Sequence, residues 1–158
     1  MDALNRVSLI ETKTGGTTLL SSYAQRYDLA GNVNKVEGNY SSGGLSDRTI
    51  INTYDEINRL TKEVIAVSGG TTTTTAYTFD DAHNRIQKVS GGVTTNYTYN
   101  SRNQLTVADD STTVTTFTYD LNGNRVTRVQ GGSIDTYSYD FENRLMTLDK
   151  NTTSGAGD

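Results

Sequence analysis

Six times in 158 residues an aromatic side chain is followed directly by aspartate or asparagine: Tyr27-Asp28, Tyr54-Asp55, Phe79-Asp80, Tyr99-Asn100, Tyr119-Asp120 and Tyr139-Asp140. Met1-Asp2, followed by Ala-Leu-Asn-Arg-Val, is a seventh copy with methionine in the aromatic place. The copies start 26, 27, 25, 20, 20 and 20 residues apart. A period of that length sustained along a chain specifies stacked supersecondary units, each packing on its neighbours. This constrains the fold more than any other feature, because every unit must solve the same packing problem.

Within each unit the same events recur. After the anchor come turn-forming residues, then asparagine, usually arginine, and an aliphatic residue: Asn58-Arg59-Leu60, Asn84-Arg85-Ile86, Asn124-Arg125-Val126 and Asn143-Arg144-Leu145. A strand-like run leads to paired glycines, Gly69-Gly70, Gly91-Gly92 or Gly131-Gly132. A threonine-rich run then ends in two aromatics two residues apart: Tyr77/Phe79, Tyr97/Tyr99, Phe117/Tyr119 and Tyr137/Tyr139. Strand periodicity places both members of each pair on one face. Glycine pairs tolerate the positive φ of tight hairpin turns, and Asn122-Gly123 carries the strongest short hairpin signal. The anchor aspartate is suited to accept backbone amides of the turn after it, and asparagine to adopt the left-handed conformation at the turn exit. The anchor aromatic and the following aliphatic are then cross-strand or next-strand neighbours. Each unit is two strands and two turns, giving about fourteen strands in an antiparallel meander. No window carries apolar residues at helical spacing.

The expected fold is therefore all-β, a repeat-built antiparallel hairpin array, open or spirally curled. Residues 1–150 form seven repeats starting near 1, 27, 54, 79, 99, 119 and 139, and 151–158 form a short Gly/Ser/Thr tail. With only 33% hydrophobic residues, a deep two-sided core is not expected. Disorder is the rival for so polar a chain. A net charge of only −4 and the enrichment of threonine, valine and tyrosine in the periodic segments favour order. The absence of proline suits a chain that needs nearly every backbone amide for strand pairing.

Several kinds of chemistry are weighed and set aside. The acidic balance leaves no footprint for nucleic acid, no run approaches a membrane span, and no signal segment follows Met1. Cysteine is absent. Asp120-x-Asn122-x-Asn124 has the opening spacing of a calcium loop, but Arg125 and Gly131 stand where glycine and glutamate are required. His83 is the only histidine and sits in a turn where other copies have glycine. The carboxylate pairs Asp80-Asp81 and Asp109-Asp110 read as repeat and turn positions, with no nucleophile or phosphate loop beside them. No enzyme activity, metal or cofactor is expected. Tyr77, Tyr97, Phe117 and Tyr137 form a candidate ligand face on which a glycan could stack, against the alternative that they make the sheet's thin apolar layer. Asn-x-Ser/Thr sequons and the threonine run are weak signals in this composition.

"YDLAGNV", "YDEINRL", "YDLNGNRV" and "YDFENRL" resemble the signature of the YD-repeat, or Rhs-repeat, family over Met1 to about Lys150. The resemblance implies a β-ribbon that spirals into a hollow shell, as in Rhs proteins, Tc-type toxin complexes, wall-associated proteins and teneurins, and an extracellular or cell-surface setting. Toxin-bearing members carry a proline-containing core motif after the array, which this proline-free chain does not have. The chain opens in repeat phase, as though cut from a longer array. Fourteen strands about 4.8 Å apart span roughly 65 Å. Closed on itself, such a ribbon is about 20 Å across, too narrow for a folded cargo of roughly 13 Å radius of gyration. The expected role is a non-catalytic scaffold or shell segment. The alternatives are a self-assembling filament subunit joined through exposed sheet edges and a carbohydrate-binding adhesion module. Partners are the chain itself, flanking repeats, or glycans.

Overall fold

The structure, a computed structural model, describes residues 1–40 and 46–151. The insertion that begins at Asn39 passes outside the described residues after Tyr40, as does the tail after Asn151. Among the described residues thirteen strands follow one another. They are β1 (Leu9–Thr14), β2 (Thr18–Tyr27), β3 (Val33–Tyr40), β4 (Arg48–Tyr54), β5 (Leu60–Val67) and β6 (Thr72–Phe79), then β7 (Arg85–Ser90), β8 (Val93–Tyr99), β9 (Leu105–Asp109), β10 (Val114–Tyr119), β11 (Arg125–Gln130), β12 (Ser133–Tyr139) and β13 (Leu145–Asn151). They lie in one sheet in chain order. The count is one below the expected fourteen because the last repeat, which starts at Tyr139, contributes β13 alone among the described residues. No helix among the described residues is long and apolar enough to cross a membrane.

The chain divides into two compact units, Met1–Tyr77 with Val89–Gly91 and Thr78–Lys88 with Gly92–Asp158. Both obey one register rule. At the anchor end the aromatic pairs with the residue six positions on: Tyr27 with Val33 and Tyr54 with Leu60 in the first unit, and Tyr99 with Leu105, Tyr119 with Arg125 and Tyr139 with Leu145 in the second. A bulge immediately precedes the tyrosine in every one of these pairs. Such a bulge adds local twist and re-aims the side chain at the strand end. On the other side of β1, β3, β5, β9 and β11, the residue seven after the anchor aspartate or asparagine faces the residue three before the next aromatic. The pairs are Leu9 with Ala24, Lys35 with Ile51, Lys62 with Ala76, Val107 with Thr116, and Thr127 with Thr136. Repeats of different length keep this register because extra residues sit at the far hairpin end.

That far end is where the tight turns lie. Gly91-Gly92 and Gly131-Gly132 both have positive φ, 58° and 83° in the first pair, 57° and 85° in the second, the geometry of a two-residue turn whose twist matches its strands. Asn122-Gly123, expected to form such a hairpin, instead lies within the five-residue loop that closes Tyr119 on Arg125. Only its glycine has positive φ. The anchor bulge needs that longer loop.

No hydrophobic side chain is buried among the described residues; the buried polar ones are Ser22, Thr75 and Thr115. A single sheet layer has nothing behind it, so its apolar residues are at best half covered by cross-strand neighbours. In the first unit Val36, Ile50 and Ile65 are successive register partners and all are half-buried. Tyr23 lies opposite Gly38, where an added Cβ would come 3.4 Å from its ring. Glycine there lets the ring lie across β3 and meet Tyr40 edge-on at 5.7 Å, with the hydroxyls 2.6 Å apart.

Candidate functional site

The most elaborate local chemistry is at the anchor turns, and it is the same chemistry seven times. Each turn begins with two backbone bonds. The amide of the anchor aspartate or asparagine donates to the carbonyl four residues on, and the amide three residues on donates back. Positive φ follows at that third residue: Asn5, Gly31, Asn58, His83, Asn103, Gly123 and Asn143. His83 is therefore a turn residue held left-handed at φ 66°. The anchor Oδ1 accepts the amide four residues on, from Arg6, Asn32, Arg59, Asn84, Gln104, Asn124 and Arg144, at 2.8–3.0 Å. The side chain of that fourth residue closes the loop. Arginine Nε reaches Oδ2 of Asp2, Asp55 and Asp140 at 2.6–2.7 Å. Asparagine Nδ2 reaches Asp28, Asp80 and Asp120 at 3.0 Å.

These bonds hold the anchor carboxyls below their usual range. For Asp28, Asp80 and Asp120 the main cause is the side-chain amide of Asn32, Asn84 and Asn124. For Asp2 and Asp140 it is the backbone N–H of Arg6 and Arg144. At Asp55 burial pulls upward, and the Arg59 side chain and the amides of Arg59 and Ile57 together outweigh it.

The shared Asn-Arg letters of the sequence conceal two different placements. Asn58 and Asn143 occupy the left-handed position, and Arg59 and Arg144 bridge the aspartate. Asn84 and Asn124 instead occupy the bridging position, with His83 and Gly123 left-handed. Arg85 and Arg125 are thereby shifted one residue onward. The Arg85 guanidinium lies 4.6 Å from the centre of the Tyr97 ring, and Arg125 lies 4.3 Å from Tyr137 and 5.7 Å from Phe117. The strand partner of Tyr119 is accordingly Arg125 and not the aliphatic Val126.

Of the candidate ligand face, on which a glycan could stack, Tyr97 and Tyr137 each have an arginine guanidinium over one side of the ring. Tyr77 lies on β6 in the first unit. Among the described residues no group of three His, Cys, Asp or Glu could hold a metal ion.

Two links join successive turns, and sequence reasoning missed both. The first is a side-chain ladder along the turn edge: Asn32 Nδ2 donates to Asn58 Oδ1 at 2.8 Å in the first unit. In the second, Asn84 donates to Asn103 at 3.1 Å and Asn124 to Asn143 at 2.8 Å. The second link is a tyrosine rule. The hydroxyl of each anchor tyrosine donates to the backbone carbonyl that follows the preceding turn: Tyr27 to Val7, Tyr54 to Val33, Tyr99 to Arg85, Tyr119 to Leu105 and Tyr139 to Arg125, at 2.6–3.1 Å. The only sequence signal for it is the preference for tyrosine over phenylalanine at the anchor. Tyr119→Phe keeps the ring and removes only the 2.8 Å bond to Leu105. It is expected to cost about 1 kcal/mol, read as a small fall in the urea midpoint. An unchanged midpoint contradicts the tyrosine rule.

A family model described as Teneurin YD-shell matches residues 2–154. No curated protein sequence matches the chain. Among solved structures, the crystal structure of TcdB2-TccC3-TEV is similar with a TM-score of 0.54 and 14% identity, covering 90% of this chain and 10% of that one. The crystal structure of TcdB2-TccC3 without its hypervariable C-terminal region gives 0.53 and 16%, covering 87% and 9%. The chain spans about a tenth of the length of these structures, and at this identity the likeness is one of fold.

Proposed function

We propose, since the chain belongs to the Teneurin YD-shell family, that it is a non-catalytic wall segment of a shell, working at the cell surface or outside the cell. One observation carries this reading. The anchor turn is repeated seven times with the same backbone bonds and a left-handed residue at the same place. An active site needs residues that depart from their neighbours, and the departures here conserve the bonding. Asn100 replaces aspartate, and Gln104 replaces the bridging residue. The pair exchanges the roles of donor and acceptor, with Asn100 Nδ2 donating to Gln104 Oε1 at 2.8 Å.

A wall made of equivalent units tolerates loss of a whole unit. Excision of Asp120–Tyr139 joins Tyr119 to Asp140 and restores an anchor. This variant is expected to keep a cooperative unfolding transition and a β-sheet circular dichroism spectrum. Excision of only Asp120–Val129 joins strands out of phase and is expected to unfold the second unit. Equal damage from both excisions contradicts the wall reading.

A further inference from the structure

The first unit departs from the repeat pattern where β2 meets β3. Four residues before the anchor aromatic, other repeats carry Ile50, Thr75, Thr95, Thr115 or Asp135, whereas the repeat ending at Tyr27 carries Tyr23. The strand partner departs with it. Ile50 faces Ile65, Thr115 faces Gln130 and Asp135 faces Lys150, but Tyr23 faces Gly38. Two positions beyond Gly38, on the same face of β3, stands Tyr40. The isoleucine pair fills the equivalent place with no hydrogen bond, so packing alone does not call for two phenols.

The three departures act together. Gly38 leaves the space across which the Tyr23 ring lies. The backbone amide of Tyr40 donates to Asp47 Oδ1 at 2.7 Å, which holds the end of β3. The two rings then meet edge-on, with an interplanar angle of 87° and the hydroxyl oxygens 2.6 Å apart. Other tyrosines are placed differently. The hydroxyls of Tyr27, Tyr54, Tyr99, Tyr119 and Tyr139 donate to backbone carbonyls, and Tyr97 and Tyr137 lie under guanidinium groups. At Tyr23 and Tyr40 the Cε carbons, each one bond from a hydroxyl-bearing carbon, are drawn together with the oxygens. Both residues are half-buried, within reach of an electron acceptor at the surface.

We propose that Tyr23 and Tyr40 are a site of oxidative modification, at which a one-electron oxidant of the peroxidase class joins the two rings through a Cε–Cε bond and staples β2 to β3. Each phenol gives up one electron and its hydroxyl proton, and those two electrons and two protons reduce one hydrogen peroxide to two waters. The two phenoxyl radicals couple at Cε. Each ring regains its aromaticity by passing the Cε hydrogen to its oxygen, so the product has both hydroxyls and two fewer hydrogens than the parent. In that product the hydroxyls flank the new bond, and at 2.6 Å they already stand side by side. A chain without cysteine has no disulfide to draw on. A sheet with no buried hydrophobic side chain among its described residues is stabilised by a link that restricts the unfolded chain. The site does not depend on the wall reading.

The test treats the purified full chain, kept dilute, with a haem peroxidase and hydrogen peroxide. Trypsin then releases Thr14–Arg26 and Val36–Arg48, each with a single tyrosine, so a linked pair of these peptides identifies the bond. That pair, lighter by two hydrogens, is expected as the main tyrosine cross-link of the treated monomer. The blue fluorescence of linked phenols accompanies it, with no tryptophan to obscure it. The treated parent is also expected to unfold at a higher urea concentration than the untreated one. Tyr23→Phe keeps the ring and is expected to lose the linked pair and the rise in midpoint. Gly38→Val keeps both phenols but sets a branched side chain against the Tyr23 ring, and is expected to lose most of the linked pair while circular dichroism shows it folded. The proposal is overturned if the linked pair is absent from the treated monomer, if it forms only between molecules, or if other tyrosine pairs link equally. A folded Gly38→Val that links as readily as the parent also overturns it.

Discussion

Brought from pH 7 towards pH 2, the protein is expected to lose stability as the pH falls below about 4, the range of an ordinary carboxyl. Six anchor aspartates, Asp2, Asp28, Asp55, Asp80, Asp120 and Asp140, have folded-state values lowered from 3.8. Their contribution is fully present above the unfolded value and is lost as pH falls through the lowered folded one. In that window the unfolded chain binds more protons, so stability drops as acid is added. The fifth turn shows how to remove the dependence, because Asn100 and Gln104 build the same loop without charge. Asp120→Asn alone places an amide donor against the Asn124 Nδ2 and is expected to destabilise at pH 7. Adding Asn124→Gln is expected to recover that loss and to flatten the fall between pH 4 and pH 2. Urea midpoints at pH 7 and pH 3 check both steps. A single variant as stable as the parent, or a double variant no better than the single, contradicts the assigned bonding.

Gly123→Val lowers stability by about 2 kcal/mol, while Gly123→Asn costs far less. The residue has φ 93°, a region that a β-branched side chain strongly resists. The added Cβ would also come 3.3 Å from Gln104 Nε2, a flexible side-chain end that can yield. Strain in the backbone is thus the larger cause. Asparagine already holds the same place at residues 58, 103 and 143 with φ of 59–65°. Thermal unfolding of the two variants separates the causes. A fall of roughly 4–8 °C is expected for valine in a chain of this size. Equal falls for both would put the cost in the side-chain contact and not in the backbone.

The fold class was legible because period-two aromatics, glycine pairs and a repeated anchor all point to antiparallel hairpins, and none points elsewhere. The turn chemistry was legible only in part. Aspartate as an acceptor of turn amides follows from its short side chain, but the letters Asn-Arg do not reveal which residue turns left-handed. Gly123 before Asn124, and His83 before Asn84, move the arginine by one position. A shift of one residue exchanges a carboxylate bridge for a ring contact. The ladders between turns were not legible, because they depend on register between repeats up to 26 residues apart. The tyrosine hydroxyl bonds had a faint signal in the choice of tyrosine. The ligand face was drawn from ring spacing alone, which cannot report that Arg85 and Arg125 lie on two of its rings.

The account holds that the anchor turns are equivalent structural units, and native-state amide hydrogen exchange at neutral pH tests this most directly. The amides of Asn32, Arg59, Asn84, Gln104 and Asn124 each donate to an anchor oxygen in the five interior turns. The account predicts comparable protection at all five, Gln104 included although its partner is uncharged. One protected turn among four that exchange freely would contradict it, and would mark that turn as a site in its own right.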